Sequence, residues 1–139
     1  MSDPVPPLDI GSFVRVVAQL TEGLDRHHKE PNDEQLRDGL IQRFEFTYEL
    51  SHKMLRRCLR ETAAAADEFE RMPFADLIRA GSAQGLLGMD WPGWRRFREM
   101  RARISHVYDA AAALAVVAAI PEFLREAEHL CAELERRLA

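Results

Sequence analysis

Apolar residues recur at alternating spacings of three and four along much of this chain, and this periodicity constrains the fold more than any other feature. The longest stripe comprises Val117, Ile120, Leu124, Ala127, Cys131, Leu134 and Leu138. Such a stripe places apolar side chains along one face of an α-helix, and its regular seam suits an antiparallel partner helix. Because no segment alternates with the period of a β-strand, the sequence predicts an all-α, antiparallel up-and-down bundle.

Prolines and capping residues divide the chain into about five helices. Asp9 is placed to cap the first helix, and Pro31 is expected to end it. Asn32, with Gln35 three residues later, resembles a capping box and predicts the start of the second helix. Residues 63–72 are then expected to connect the second helix to the third.

The second half of the chain carries similar boundary signals. Pro73 suits the first turn of the third helix, and Asp90 is placed to cap the fourth. A break is expected over residues 105–109, after which Asp109 is placed to cap the fifth helix. Pro121 is expected to kink that helix or to divide it, because proline has no amide hydrogen to donate.

Length and composition indicate one folded domain. The chain has 139 residues, of which 47% are hydrophobic and 30% charged, and this mixture argues against disorder. We assign residues 1–8, which hold three prolines, to a flexible arm and residues 9–139 to the domain. The apolar run at 110–119 is too short to cross a bilayer, and the N-terminus resembles no signal peptide, so we expect a cytoplasmic protein without membrane contact. A net charge of −4 argues against a general polyanion binder.

Arg101, His106 and Tyr108 follow one another in the pattern R-x4-H-x-Y. Arg101 shares an apolar stripe with Trp94 and Tyr108, where a guanidinium requires a carboxylate or a phosphate. Five residues rotate an ideal helix by about 140°, so Arg101 and His106 converge only if the helix breaks or two chains share a cleft. The pair suits metal-free phosphate chemistry, because a histidine exchanges protons and an arginine stabilises phosphoryl charge. Alternatively, the pair is structural, with Arg101 neutralised inside the bundle.

A second polar pattern lies on the second helix. Glu45, Glu49 and Lys53 are four residues apart and therefore share one helix face. They form either a solvated charge ladder or a pair of carboxylates of which one orients Arg101 across the bundle. Cys58 and Cys131 lie within helical stripes and form no metal motif, so no metal or cofactor is expected.

The segments RDGLIQRFEFTYELSHK and RARISHVYD together resemble the nucleotidyltransferase substrate-binding proteins of the HEPN superfamily. The resemblance implies a helical homodimer that forms a complex with a minimal nucleotidyltransferase encoded by a neighbouring gene. In the wider superfamily, the R-x4-H residues of two chains form a metal-independent endoribonuclease, often the toxin of a toxin–antitoxin pair. The nucleotidyltransferase can silence such a toxin by adding AMP to the tyrosine of R-x4-H-x-Y.

This resemblance yields a set of candidate site residues. Those expected to bind a nucleotide or RNA are Arg43, Glu45, Glu49, Lys53, Trp94, Arg101 and His106. In a ribonuclease, Arg101 and His106 would be catalytic, and Tyr108 would be the modified residue. Two positions depart from the family pattern, since His52 replaces a common tryptophan and Ala102 replaces a residue that is usually polar. Ala102 favours an accessory binding subunit, and the alternative is the ribonuclease toxin itself.

Overall fold

The computed structural model describes residues 9–62, 66–106 and 108–138 of the chain, and every regular element in these ranges is helical. The elements are α1 (Gly11–Lys29), α2 (Glu34–Thr62), α3 (Ala66–Glu70), α4 (Phe74–Ala83), α5 (Trp91–Arg103) and α6 (Ala110–Leu138), with a 3₁₀ turn (Ile104–His106) between α5 and α6. The predicted all-α bundle is confirmed. The described residues form six α-helices, one more than expected, and the additional helix is α3, which lies in the segment predicted to be a connection. The expected arm at residues 1–8 lies outside the described residues.

The contacts between helices have an antiparallel register. From α2, the Thr47 hydroxyl lies 3.4 Å from the carbonyl oxygen of Val16 in α1, while Arg43, one turn earlier, donates to the carbonyl of Gln19, later in α1. The same opposed order relates α5 to α6, where Trp94 meets Glu126 and Arg96 meets Glu122. Short connections between successive helices favour this arrangement.

Phe123 of α6 is the centre of the core. Its ring lies 4.9 Å from that of Phe44 in α2 and 5.3 Å from that of Phe97 in α5, measured between centroids, with edge-to-face geometry in both pairs. All three side chains are almost completely buried. Such aromatic pairs add about 0.5–1.5 kcal/mol beyond the area that they bury. They fix α5 against α2 and thereby position the polar residues at the end of α5.

Three helix boundaries differ in detail from those expected. Asp33, not Asn32, caps α2, because its Oδ1 accepts a hydrogen bond from the amide of Leu36 at 3.1 Å. Pro73 immediately precedes α4 and does not lie in its first turn. Pro121 does not divide α6, which is continuous from Ala110 to Leu138.

The cap at Asp90 is confirmed, since its side chain accepts a hydrogen bond from the amide of Trp91. Asp109 has the same role at the start of α6, where its side chain accepts from the amide of Ala111 at 3.0 Å. Among the described residues, no helix combines the length and apolar character that are needed to span a membrane.

Candidate functional site

Arg101 occupies the last turn of α5 and forms ion pairs with two carboxylates of α2. Its Nη2 atom lies 2.8 Å from Oε1 of Glu49 and 3.5 Å from Oε1 of Glu45. Glu45 and Glu49 are one turn apart on α2, so both carboxylates reach the same guanidinium. Of the two alternatives that the sequence leaves open for these carboxylates, the structure shows the pairing with Arg101 across the bundle.

The pKa of Arg101 is raised, chiefly by its hydrogen bond to Glu49 and further by the charge of Glu45, while burial acts in the opposite direction. The side chain is 33% exposed, so the guanidinium is a fixed cation that solvent reaches. A guanidinium carries five N–H donors, and the one hydrogen bond that the Arg101 side chain forms with described residues uses Nη2. Donors therefore remain for an anionic ligand.

The predicted break after Arg101 is confirmed. α5 ends at Arg103, and the chain continues as a 3₁₀ turn that ends at His106. The amide of Asp109 donates to the carbonyl of His106 at 3.0 Å, which turns the chain toward α6. His106 is exposed at this turn and is accessible to a ligand.

Tyr108 does not lie on the buried stripe of α5, contrary to the sequence prediction. It is 86% exposed, because the helical period that would have turned it inward ends at the 3₁₀ turn. Its ring centroid lies 6.2 Å from that of His106, with an interplanar angle of 71°. Arg101, His106 and Tyr108 thus follow one another from the end of α5 toward α6, and each has solvent-accessible surface.

Trp94 is a core residue, and the expectation that it contacts a nucleotide does not fit its burial. Only 1% of its surface is exposed, and its Nε1 donates to Oε2 of Glu126 at 2.9 Å. Glu126 also accepts from the amide of Met89 at 3.1 Å. The indole therefore fastens α5 to α6 and supports the site from within the core.

Arg43 is directed away from the Arg101 site. Its Nη1 donates to the carbonyl of Gln19 in α1 at 2.7 Å, and the side chain packs against Gly23. Arg43 and Glu45 are two residues apart, which separates their directions by about 200° around α2. Arg43 therefore joins α2 to α1 and is not part of the cluster that contains Arg101.

Lys53 lies one turn beyond Glu49 and opens onto a cleft of about 580 Å³. The cleft follows the second half of α2, and its cationic and aromatic lining consists of Tyr48, His52, Lys53, Arg56, Arg57 and Arg60. Two carboxylates, Glu49 and Glu70, also line the cleft. The spacing of four from Lys53 to Arg57 does not by itself predict this cleft, because part of its lining comes from Glu70 in α3.

His52 also lines the cleft and is neutral at physiological pH. Its Nε2 lies 3.2 Å from Nη2 of Arg56, and because a guanidinium only donates, the imidazole nitrogen accepts. Burial lowers the pKa of His52 below its usual value of 6.5, and the charge of Arg56 lowers it further. The ring also packs edge-on against Phe74, at 4.6 Å between centroids.

Tyr48, which also lines the cleft, is 8% exposed, and burial raises its pKa to about 12. The phenol is therefore neutral at physiological pH. Within the described part of the chain, no three histidine, cysteine, aspartate or glutamate side chains are grouped closely enough to hold a metal ion.

Comparisons with known proteins agree with this architecture. The family described as "Nucleotidyltransferase substrate binding protein like" matches residues 8–136. A probable ribonuclease HepT of Haemophilus influenzae is 42% identical over 99 residues, which are 71% of this chain and 67% of the relative. A Haemophilus influenzae structure, described as revealing the fold of a substrate binding domain of a nucleotidyltransferase, is similar with a TM-score of 0.85 and 32% identity, over 91% of this chain and 99% of that one. The chain therefore belongs to the nucleotidyltransferase substrate binding protein family.

Proposed function

We propose that this chain is the nucleotide- or RNA-binding subunit of a two-gene system whose other component is a minimal nucleotidyltransferase encoded by a neighbouring gene. The observation that carries the proposal is the guanidinium of Arg101, which two carboxylates hold at the surface while a third of its side chain is exposed. A fixed, solvent-accessible guanidinium binds phosphate through paired hydrogen bonds with little loss of side-chain entropy.

His106 extends the phosphate site. It is exposed at the 3₁₀ turn that directly follows α5, and an imidazole at this position can donate to a phosphate oxygen or accept from a ribose hydroxyl. We infer that two copies of the chain form a homodimer in which the Arg101 and His106 pairs of both subunits line one cleft. The partner is supported by the family match and by the similar structure, which is described as a substrate binding domain of a nucleotidyltransferase.

The test of binding is the variant Arg101→Gln, which removes the charge and keeps hydrogen-bonding capacity. We expect loss of binding to a fluorescent single-stranded oligoribonucleotide and to AMP, with the dimer retained in sedimentation velocity. Arg95→Gln is the matched control, because Arg95 is an exposed arginine of the same helix whose ion pair is with Glu99. Unchanged binding in Arg101→Gln would show that the site is elsewhere.

The partner is tested by co-expression with the product of the neighbouring reading frame. A tagged copy of this chain should retain that product through size-exclusion chromatography. Recovery of this chain alone, with the neighbouring product soluble but separate, would contradict the two-component proposal. Growth arrest on expression of this chain alone, relieved by the neighbouring gene, would place the pair among toxin–antitoxin modules.

A second candidate function is metal-independent cleavage of RNA, and similarity to a probable ribonuclease HepT favours it. In this reaction His106 accepts the proton of a ribose 2′-hydroxyl as the 2′-oxygen forms a bond to phosphorus. The 5′-oxygen leaves with its electron pair and takes a proton from an acid, and Arg101 stabilises the charge on the phosphoryl oxygens. RNA cleavage in EDTA that His106→Ala abolishes would support this function, and intact RNA after prolonged incubation would exclude it.

Tyr108 is the candidate site of regulation by the partner, and its 86% exposure supports this role. Its phenolic oxygen would attack the α-phosphorus of ATP, forming an ester to AMP, while pyrophosphate leaves and the phenolic proton passes to solvent. Incubation with the partner and ATP should add one AMP to the chain by intact mass, and Tyr108→Phe should abolish the addition. AMP found on another residue would contradict this assignment.

A further inference from the structure

The cleft along the second half of α2 begins where the Arg101–Glu49 pair ends, because Glu49 belongs to both. We propose that this cleft binds the backbone of a single-stranded RNA whose phosphate lies at Arg101, so that the ligand is an RNA strand rather than a mononucleotide. Lys53 and Arg57 are the residues that contact the additional phosphates. This inference rests on the proposed phosphate site at Arg101.

The charge of the cleft differs from that of the chain. Four cations line it against two carboxylates, whereas the whole chain has a net charge of −4. Both carboxylates are already engaged, Glu49 with Arg101 and Glu70 with Arg60. A positively charged cleft on an acidic protein favours binding of a polyanion in the cleft, while the net negative charge of the rest of the surface disfavours binding elsewhere.

The arginines of the cleft divide into structural and available groups. Arg56 donates to the backbone carbonyls of Phe69 and Met72, and thereby holds the segment around α3 against α2. Arg60 pairs with Glu70 and fixes the same wall. These two residues build the cleft and are not free to follow a ligand.

Lys53 and Arg57 are the available cations. Lys53 is exposed, and within the described part of the chain it forms no ion pair within 4.0 Å. The side chain of Arg57 is 40% exposed, and its ion pair with Glu61 has a separation of 3.8 Å. Because a largely solvent-accessible pair of this kind contributes little to stability, a phosphate can replace the carboxylate at little cost.

The length of the cleft favours a strand over a single nucleotide. Glu49, Lys53 and Arg57 are spaced four residues apart and therefore share one face of α2. Arg60 follows near the C-terminal end of this helix. The eleven residue steps from Glu49 to Arg60 extend about 16 Å along the helix axis. One phosphate group at Arg101 therefore leaves Lys53 and Arg57 unoccupied, whereas a strand places successive phosphates along them.

The lining of the cleft includes two aromatic side chains, which distinguishes it from a merely solvated row of charges. Tyr48 and His52 line it, and the His52 ring is fixed by its edge-on contact with Phe74. Tyr48 is almost completely buried, whereas His52 is only partly buried and is the aromatic side chain that a base can reach. Single-stranded RNA is recognised by the combination of backbone cations and aromatic surfaces on which bases stack.

The test measures the salt dependence of binding to a fluorescent single-stranded oligouridylate. Each phosphate contact to a single strand contributes about −0.7 to the slope of log K against log salt concentration. Arg57→Gln should therefore make the slope less negative by about 0.7. The double variant Lys53→Gln with Arg57→Gln should make it less negative by about 1.4. Arg95→Gln should leave the slope unchanged, and a circular-dichroism melt confirms that each variant is folded.

The outcomes separate this inference from the proposed function. A slope that is unchanged in the double variant, while Arg101→Gln abolishes binding, would overturn the strand cleft and leave the phosphate site intact. Equal affinity of the wild type for uridine monophosphate and for the oligouridylate would also overturn it. Binding that persists undiminished in Arg101→Gln would instead overturn the proposed function.

Discussion

The Nη2 atom of Arg101 lies 2.8 Å from Oε1 of Glu49, so the cation of the candidate site is already paired before any ligand arrives. A phosphate must therefore approach a guanidinium beside a carboxylate of the same sign as itself. Glu49 is 49% exposed, and an exposed ion pair of this kind contributes about 0–1 kcal/mol to folding. We therefore expect the pair to affect the proposed phosphate binding more than stability.

Glu49→Gln should strengthen phosphate binding. The amide oxygen can still accept from Arg101, while the negative charge beside the ligand is removed. One unit charge at about 4 Å contributes about 1 kcal/mol in water, so we expect about fivefold higher affinity for RNA at low salt. The gain should decrease as salt screens the charge. Weaker binding in Glu49→Gln, with Glu99→Gln unchanged as the control, would show that the carboxylate acts by orienting Arg101.

His52 should make the protein less stable at acidic pH. Burial and Arg56 lower its pKa in the folded chain below the value of 6.5 expected in the unfolded chain. At a pH between the folded-state pKa and 6.5, the unfolded chain therefore binds more protons than the folded chain. The contribution of His52 to the free energy of unfolding is therefore fully present above pH 6.5, and it is lost as the pH decreases from 6.5 through the folded-state pKa. Urea midpoints against pH should show this loss in the wild type and a smaller loss in His52→Gln. Parallel curves for the two proteins would contradict the prediction.

The pairing of Arg101 with Glu45 and Glu49 was predictable from the sequence. A polar stripe on α2 and a lone arginine on an apolar stripe of α5 indicate that the two helices face each other. Tyr108 was not predictable in the same way. Its inward position assumed that the period of α5 continues, and a local 3₁₀ turn stops that period before residue 108.

The cleft could not be found from the sequence because it depends on tertiary contacts. Its wall is the segment around α3, and Arg56 and Arg60 hold that segment through contacts with Phe69, Glu70 and Met72. On the sequence alone these arginines are indistinguishable from solvated charges. Trp94 is a different case. Its position near the motif predicts contact with a ligand, but the side chain is buried in the core.

Glu126 should contribute strongly to stability. It is 5% exposed and accepts from both Trp94 Nε1 and the amide of Met89. Glu126→Ala leaves the buried Trp94 Nε1 and the partly buried Met89 amide without an acceptor, which should cost about 2–5 kcal/mol of unfolding free energy. Glu122→Ala, which removes an exposed ion pair of the same helix, should cost about 1 kcal/mol or less. Equal urea midpoints for the two variants would contradict the structural role of Glu126.

Gly88 and Gly39 should respond in opposite directions to substitution by alanine. A Cβ at Gly88 would lie 2.6 Å from Oε1 of Glu126, and its two hydrogen bonds prevent that carboxylate from moving freely. We expect Gly88→Ala to cost about 1–3 kcal/mol. At Gly39, inside α2, no heavy atom lies within 4 Å of the new Cβ.

Gly39→Ala should therefore stabilise the protein by about 0.5–1 kcal/mol, because alanine loses less conformational entropy in a helix than glycine does. Urea denaturation of the two variants and the wild type measures both effects in one experiment. Destabilisation by Gly39→Ala would mean that the face of α2 around this residue is covered in the assembled protein, and it would contradict the prediction for the isolated chain. A neutral Gly88→Ala would show that the Glu126 carboxylate can leave Trp94 without cost, and would remove the basis for assigning it a role in fixing α5.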